Sequence, residues 1–374
     1  MHLPRTDQMQ LDRLQERLEQ VAAREIGYPV AFDFDYSALE PFLKFSLNNA
    51  GDPFTPMTYL LNTHDFEREV VSFFADMARA PPDQWWGYVT NGSTEGNLYG
   101  LYLARELLPD GIVYFSQDSH YSVGKNLHFL NMRHIMIRSQ SNGEMDYEDL
   151  RETLRIRRDA PPIIFANIGT TMKEGRDDLN VISGILDDLA IENRYIHCDA
   201  ALVGGYAALL NPPPAWDFED GADSIAISGH KFIGSPIPCG IVLARRAHVE
   251  RIGHSVAYIG SVDTTISGSR NGFTPLLLWY AIRSLGREGL QRRIDESLQV
   301  AAYAEEQFQA IGVAAWRNPQ ALTVVFPQPP KAVRDKWQLA SAGGFSHLIC
   351  MPHVNREQID QLINDIRQAQ GENS

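Results

Sequence analysis

The chain has 374 residues, 44% hydrophobic and 21% charged, with a formal net charge of −14. This length and composition predict one large globular domain with a smaller one beside it, and the acidic balance argues against nucleic acid or an anionic membrane as the main partner. Three cysteines without metal or framework spacing, no apolar signal core and no run long enough for a membrane helix make a soluble cytoplasmic protein the expectation, with no metal site.

Along the chain, Leu11, Leu14, Leu18, Val21 and Ala22 recur at helical spacing among charges. They predict an amphipathic arm over 7–25 that ends near Gly27 and Pro29. A helix over 65–79 carries Phe66, Val70, Phe73, Phe74 and Met77 on one side and stops before Pro81 and Pro82. From about 88 to 245, β-rich runs at 111–116, 162–168, 195–199, 224–228 and 240–244 alternate with helical stretches near 94–108, 120–131, 147–156 and 178–192. Alternation with almost wholly apolar strands predicts a buried, mostly parallel sheet covered by helices. A long helical region over 275–311 follows. Strand-like runs at 321–326 and 346–351 and a helix from Arg356 to about Ala369, capped by Asn355, then predict a small α+β C-terminal domain. The expected division is an N-terminal arm (1–45), a large domain (46–290) and a small C-terminal domain (291–374).

Four places carry chemistry. The stretch Thr90-Asn91-Gly92-Ser93-Thr94-Glu95-Gly96-Asn97 is a Gly/Ser/Thr turn opening a helix, which offers backbone N–H groups and hydroxyls to a phosphate. A simple helix cap by Ser93 or Thr94 explains the same pattern, and the stretch is neither a Walker loop nor a dinucleotide fingerprint. His120 follows a strand in Ser119-His120-Tyr121-Ser122, where it can lie over an aromatic ring or serve the structure alone. Asp199 ends the apolar strand Tyr195-Ile196-His197-Cys198-Asp199, at the sheet edge where ligands of open α/β folds bind. Its carboxylate can pair with a cation such as a pyridinium nitrogen, or cap the next helix. Lys231 follows a strand in Ser228-Gly229-His230-Lys231 and precedes the turn formers Gly234-Ser235-Pro236. A lysine held on such a support, with its pKa lowered by its pocket, can form a Schiff base with an aldehyde.

Taken in order, these elements resemble the pyridoxal phosphate-dependent group II amino-acid decarboxylases, which have the aspartate-aminotransferase fold (fold type I). The bacterial histidine decarboxylases are the nearest branch and the plant serine decarboxylases are related. The resemblance runs through nearly the whole chain. It is carried by Ile26 to Pro29, Phe45 to Asn49, Trp86 to Asn97, Asp118 to Val123, Asn167 to Thr171, His197 to Ala201, Ser228 to Lys231, Gly234 to Gly240 and Gly268 to Gly272.

The resemblance implies pyridoxal 5'-phosphate as cofactor, an L-amino acid as substrate (histidine first) and a homodimer with shared active sites. Under it, Lys231 holds the cofactor, Asp199 pairs with the ring nitrogen, His120 stacks on the ring and Ala201 packs the other face. Gly92, Ser93 and Thr94 bind the phosphate with help from Ser228 and His230, while Thr170 faces the phenolic oxygen. Tyr258, on a loop after the lysine, is the candidate proton donor to Cα, and His230 is its rival. Ser269 and Arg270 reach a cofactor phosphate across the dimer interface.

Two departures bear on the substrate. Phe273 stands where these relatives usually have histidine, and Gly344 where they usually have an acidic residue. If either lines the pocket, the preferred side chain is less polar than imidazole. Tyr59-Leu60-Leu61-Asn62-Thr63 instead favours the histidine branch. Serine or a less polar amino acid is therefore the alternative substrate. A hydrolase is disfavoured by the lack of a G-x-S-x-G turn, and a non-catalytic relative by the presence of Lys231, Asp199 and His120.

Overall fold

The computed structural model describes residues 3–256 and 261–371. In chain order the elements are α1 (Arg5–Ala22), α2 (His64–Met77), β1 (Trp85–Thr90), α3 (Ser93–Leu107), β2 (Ile112–Ser116), α4 (Ser122–Phe129), β3 (His134–Ile137), α5 (Tyr147–Ile156), β4 (Pro162–Asn167), α6 (Leu179–Asp188), β5 (Tyr195–Asp199), β6 (Ser224–Ser228) and β7 (Gly240–Arg245). They continue with α7 (Arg246–Val249), β8 (His254–Val256), β9 (Ser261–Asp263), α8 (Phe273–Ala310), β10 (Thr323–Pro327), α9 (Lys331–Trp337), β11 (Ser341–Ala342), β12 (Phe345–Ile349) and α10 (Arg356–Gly371). The chain forms two compact units, Val30–Asp295 and the pair of segments Met1–Pro29 and Glu296–Ser374.

The larger unit is built on a seven-stranded sheet of order β1-β7-β6-β5-β4-β2-β3. Pairs β2–β3, β2–β4, β4–β5 and β5–β6 are parallel, while β7 runs against both β6 and β1. One reversed strand in seven makes the sheet mostly parallel, as the alternation of apolar strands and helices predicts. Strands β2, β4, β5 and β6 are buried at every position, which is why their sequences are apolar runs and not alternations.

Helix α3 packs on β5, β6 and β7, and α2 on β1 and β7. Two glycines set the approach of α3. A Cβ at Gly96 would meet that of Ala226 at 2.9 Å, and one at Gly100 would lie 2.1 Å from His197 Nδ1. Asp146 and Asp178 cap α5 and α6 by accepting from backbone N–H groups in the first turn. Within α8 the backbone leaves helical geometry at Gly286, where φ is +62°.

In the smaller unit β10, β12 and β11 form an antiparallel sheet. The segment after α1 joins its edge, with Ile349 N donating to Ile26 O at 2.8 Å. Asn355 caps α10 as its sequence predicts, and reciprocally: Gln358 N donates to Asn355 Oδ1 at 3.0 Å and Asn355 N to Gln358 Oε1 at 2.9 Å.

Candidate active site

Because β7 is the one reversed strand, the carboxyl ends of β1, β2, β4, β5 and β6 share one edge of the sheet. Each is followed there by a predicted site element: the Gly92–Thr94 turn after β1, His120 after β2, Thr170 after β4, Asp199 at the end of β5, and Ser228 to Lys231 at the end of β6. In register, Gly240 of β7 sits between Thr90 and Ser228, and Asn167 sits beside Asp199.

The turn is shaped for an anion. Gly92 has φ +134°, a conformation that favours glycine, and it occupies the cap position of α3 with no side-chain capping bond. The alternative of a Ser93 or Thr94 cap is thereby set aside, and the first N–H groups of α3 are left for a ligand. Ser93 Oγ lies 2.5 Å from Ser228 Oγ, which brings two hydroxyls to the same place. Glu95 braces the turn by accepting from Asn91 N at 2.9 Å, Asn91 Nδ2 at 2.7 Å and the Tyr88 hydroxyl at 2.9 Å.

Asp199, His120 and Lys231 interact with one another electrostatically. Burial pulls the Lys231 amine below the ordinary lysine range, and the Asp199 charge opposes the shift. Burial likewise pushes Asp199 up, against Lys231, the Asn97 amide, His120 and the Ala201 N–H. Asp199 Oδ2 accepts from Asn97 Nδ2 at 2.9 Å and Oδ1 from Ala201 N at 3.2 Å.

His120 is pulled below the usual histidine range, first by desolvation. Its Nδ1 accepts from Ser122 N at 3.3 Å and faces Ser122 Oγ at 2.8 Å. A backbone N–H can only donate, so the proton of the neutral ring is on Nε2. In His230, Nδ1 lies 2.8 Å from the Cys239 carbonyl and 3.3 Å from Cys239 N. Thr170 closes its own turn, its Oγ1 accepting from Gly175 N at 2.9 Å, and keeps its hydroxyl proton to donate. A buried lysine of lowered basicity, a carboxylate fixed beside it and an uncapped helix start with two hydroxyls together fit the aldehyde, ring nitrogen and phosphate of pyridoxal phosphate.

Other expected residues lie elsewhere or are committed to other partners. Arg270 is engaged within the chain. It is 4% exposed, paired with the buried Glu67, and donates to Gly51 O at 3.0 Å while lying over the Tyr88 ring. Glu67 also accepts from Val89 N at 2.9 Å and Asn49 Nδ2 at 2.7 Å. Arg270 thus supports β1 from behind, since an unpaired carboxylate there would be costly. Ser269 is exposed and accepts from Asn48 Nδ2 at 3.2 Å.

Tyr258 lies outside the described residues. Phe273 packs in an apolar cluster with Leu39, Leu276 and Leu277, which accounts for an aromatic residue there. Gly343 and Gly344 form the two-residue turn between β11 and β12, with φ +59° and +84°. This is the turn type that demands glycine, asparagine or aspartate.

Sequence reading overlooked Gly240 on this edge, and Asn97, His197 and Ser224 in the buried layer behind Asp199. The available signal was a histidine inside an otherwise apolar strand, since a buried imidazole must find partners.

The model of the pyridoxal-dependent decarboxylase conserved domain matches residues 103–315. The chain is 52% identical to a histidine decarboxylase of Mesorhizobium japonicum, covering 96% of this chain and 97% of that one. It is 48% identical to one of Morganella morganii, covering 98% of each. Among solved structures, L-methionine decarboxylase from Streptomyces sp.590 superposes with a TM-score of 0.89 at 26% identity, over 98% of this chain and 96% of that one. With this match across the domain that holds His120, Asp199 and Lys231, the chain belongs to the pyridoxal-dependent decarboxylases, and pyridoxal phosphate is its cofactor.

Proposed function

We propose that this protein decarboxylates L-histidine to histamine and CO₂. The observation that carries the reading is the meeting of Lys231, Asp199 and His120 on one sheet edge beside the uncapped start of α3. Its specific form is supported by two histidine decarboxylases about half identical over nearly the whole chain.

When bound, the cofactor supplies an electron sink for the pair left on Cα as CO₂ departs. Lys231, with its amine pulled toward neutrality by burial, would hold the cofactor through its aldehyde. Asp199 holds a proton at the ring nitrogen. His120 and Ala201 would orient the ring, so that the Cα–carboxylate bond could be aligned for cleavage. The α3 N–H groups, Ser93, Thr94 and Ser228 hold the phosphate, and Thr170 donates toward the phenolic oxygen. A proton is finally delivered to Cα by Tyr258 or, as rival donor, by His230.

A homodimer is part of the reading. Helix α1 has no buried residue and exposes Leu11, Leu14, Leu18 and Val21, the stripe that a second copy would cover. A cytoplasmic location agrees with three buried free cysteines. Among the described residues no helix is long and apolar enough to cross a membrane.

The test is to incubate the holoenzyme with each of the twenty amino acids and measure CO₂ and amine. Histamine from L-histidine, lost in Lys231→Ala, is expected. The likeness to a methionine decarboxylase favours a less polar amino acid as second reading. Strong release from such a substrate or from serine, with none from histidine, would overturn the histidine assignment.

A further inference from the structure

Behind Asp199 runs a line of buried polar side chains that no step of the reaction uses. Asn97 Nδ2 lies 2.9 Å from Asp199 Oδ2, and Asn97 Oδ1 lies 2.9 Å from His197 Nε2. His197 Nδ1 lies 2.7 Å from Ser224 Oγ, which accepts from the Tyr195 hydroxyl at 2.9 Å. None of the four side chains behind Asp199 is more than 1% exposed.

Donor and acceptor chemistry fixes the direction of every bond. A carboxylate only accepts, so the Asn97 amide must present its NH₂ to Asp199 and its oxygen to His197. His197 must then carry its proton on Nε2, and desolvation, which pulls its pKa to about 3, keeps the ring neutral. Its Nδ1 is left as an acceptor, filled by the Ser224 hydroxyl, whose oxygen is filled in turn by Tyr195. All four protons point toward Asp199, and bonds aligned in this way polarise one another.

The backbone is arranged around the line. Gly100 leaves the space that His197 and Ser224 occupy, since a Cβ there would lie 2.1 Å from His197 Nδ1 and 2.8 Å from Ser224 Oγ. Asn97 stands one helical turn after Ser93, so α3 reaches the anion-binding turn and Asp199 from one face.

We propose that Asn97, His197, Ser224 and Tyr195 are positioning residues, a one-way hydrogen-bond relay that holds Asp199 as an oriented, ionised acceptor for the cofactor's ring nitrogen. The inference rests on the reading that Asp199 faces that nitrogen. The relay opposes the burial that pushes the Asp199 carboxyl up, and it occupies Oδ2 from behind, so that the carboxylate cannot rotate away from the ring.

The test compares two ligands on apoprotein, by fluorescence titration: pyridoxal phosphate and 1-deazapyridoxal phosphate, which lacks the ring nitrogen. Asn97→Ala is expected to weaken pyridoxal phosphate about tenfold and Ser224→Ala about threefold. Neither should change affinity for the deaza compound. Tyr195→Phe, which keeps the ring and loses only the first donor, should give the smallest selective effect. Equal weakening of both ligands, or of neither, overturns the relay. Should Asn97→Ala fail to fold by thermal melting, Ser224→Ala decides alone.

Asp199→Asn separates the two levels of the argument. If it does not discriminate between the ligands, the placement of the ring nitrogen at Asp199 is wrong. If it discriminates and the relay variants do not, only the relay fails.

Discussion

Ser93 Oγ and Ser228 Oγ stand 2.5 Å apart although 135 positions separate them in the chain. One proton of the pair is spent between the two hydroxyls, which leaves the other free for a phosphate oxygen. The pair therefore acts as a single donor unit joining the start of α3 to the end of β6. Ser93→Ala and Ser228→Ala should each weaken pyridoxal phosphate binding about tenfold. The double variant should lose much less than the product of the two, because the second change removes a hydroxyl already without its partner. Titration of the apoproteins measures all three, and multiplicative losses would mean that the hydroxyls act independently.

Arg270 provides a test in which stability and cofactor binding separate. Arg270→Ala leaves Glu67, which is 0% exposed, as a buried uncompensated carboxylate, at an expected cost of about 3–5 kcal/mol in the apoprotein. Combining Arg270→Met with Glu67→Gln should recover about 1–2 kcal/mol of that loss. Denaturant unfolding of the apoproteins provides the numbers. A variant that unfolds like wild type but binds the cofactor poorly would instead return Arg270 to the phosphate.

Glu25 sets a pH dependence in the smaller unit. Its carboxyl is pushed up to about 7, chiefly by burial, against hydrogen bonds from Tyr28 N and Gly27 N. A folded-state pKa above the unfolded one means that the native state binds the proton more tightly. The stabilisation is complete below about pH 4.5 and is lost as pH rises through about 7. Glu25→Gln keeps one acceptor oxygen and has no charge to bury. The variant should gain on the order of 2 kcal/mol over wild type at pH 8 and nothing at pH 4. Parallel melts at the two pH values check this, and a constant difference between the proteins would show that Glu25 does not titrate in that window.

Much of this architecture is legible in the sequence because it depends on local pattern. The apolar runs of β5 and β6 match 195–199 and 224–228 residue for residue, and α5 matches 147–156. Strand β3 escaped because it is a short edge strand with exposed positions, His134 and Met136, so it carries no apolar run. Strand β1 was hidden among aromatic residues.

The site divides along the same line. Asp199 ends a strand and Lys231 and His120 follow strands closely, where sheet topology gathers them without further information. The partners of Arg270 within the chain, Glu67, Gly51 and Val89, are distant in sequence, and only the folded chain shows its charge to be already paired. Asn97 and His197 were in view, yet their pairing depends on how closely α3 approaches the sheet, which Gly96 and Gly100 decide.

Gly240 is the sharpest test of that close packing. It lies in register between Thr90 and Ser228, and a Cβ there would meet Ile227 O at 2.7 Å, with Gly92 C and Thr90 Oγ1 at 2.8 Å. Two of these are backbone atoms and cannot turn aside, so Gly240→Ala must push the anion-binding turn away from β6 and part Ser93 from Ser228. The expected result is a loss of about 1–3 kcal/mol in apoprotein stability, together with pyridoxal phosphate binding at least as weak as in the Ser93→Ala, Ser228→Ala double variant. Gly184→Ala is the control, since a Cβ there meets nothing within 4 Å and a helical glycine is replaced by a better helix former. It should leave binding unchanged and stability equal or higher. If Gly240→Ala bound the cofactor as wild type does, the distance between the turn and β6 would not be what positions the phosphate.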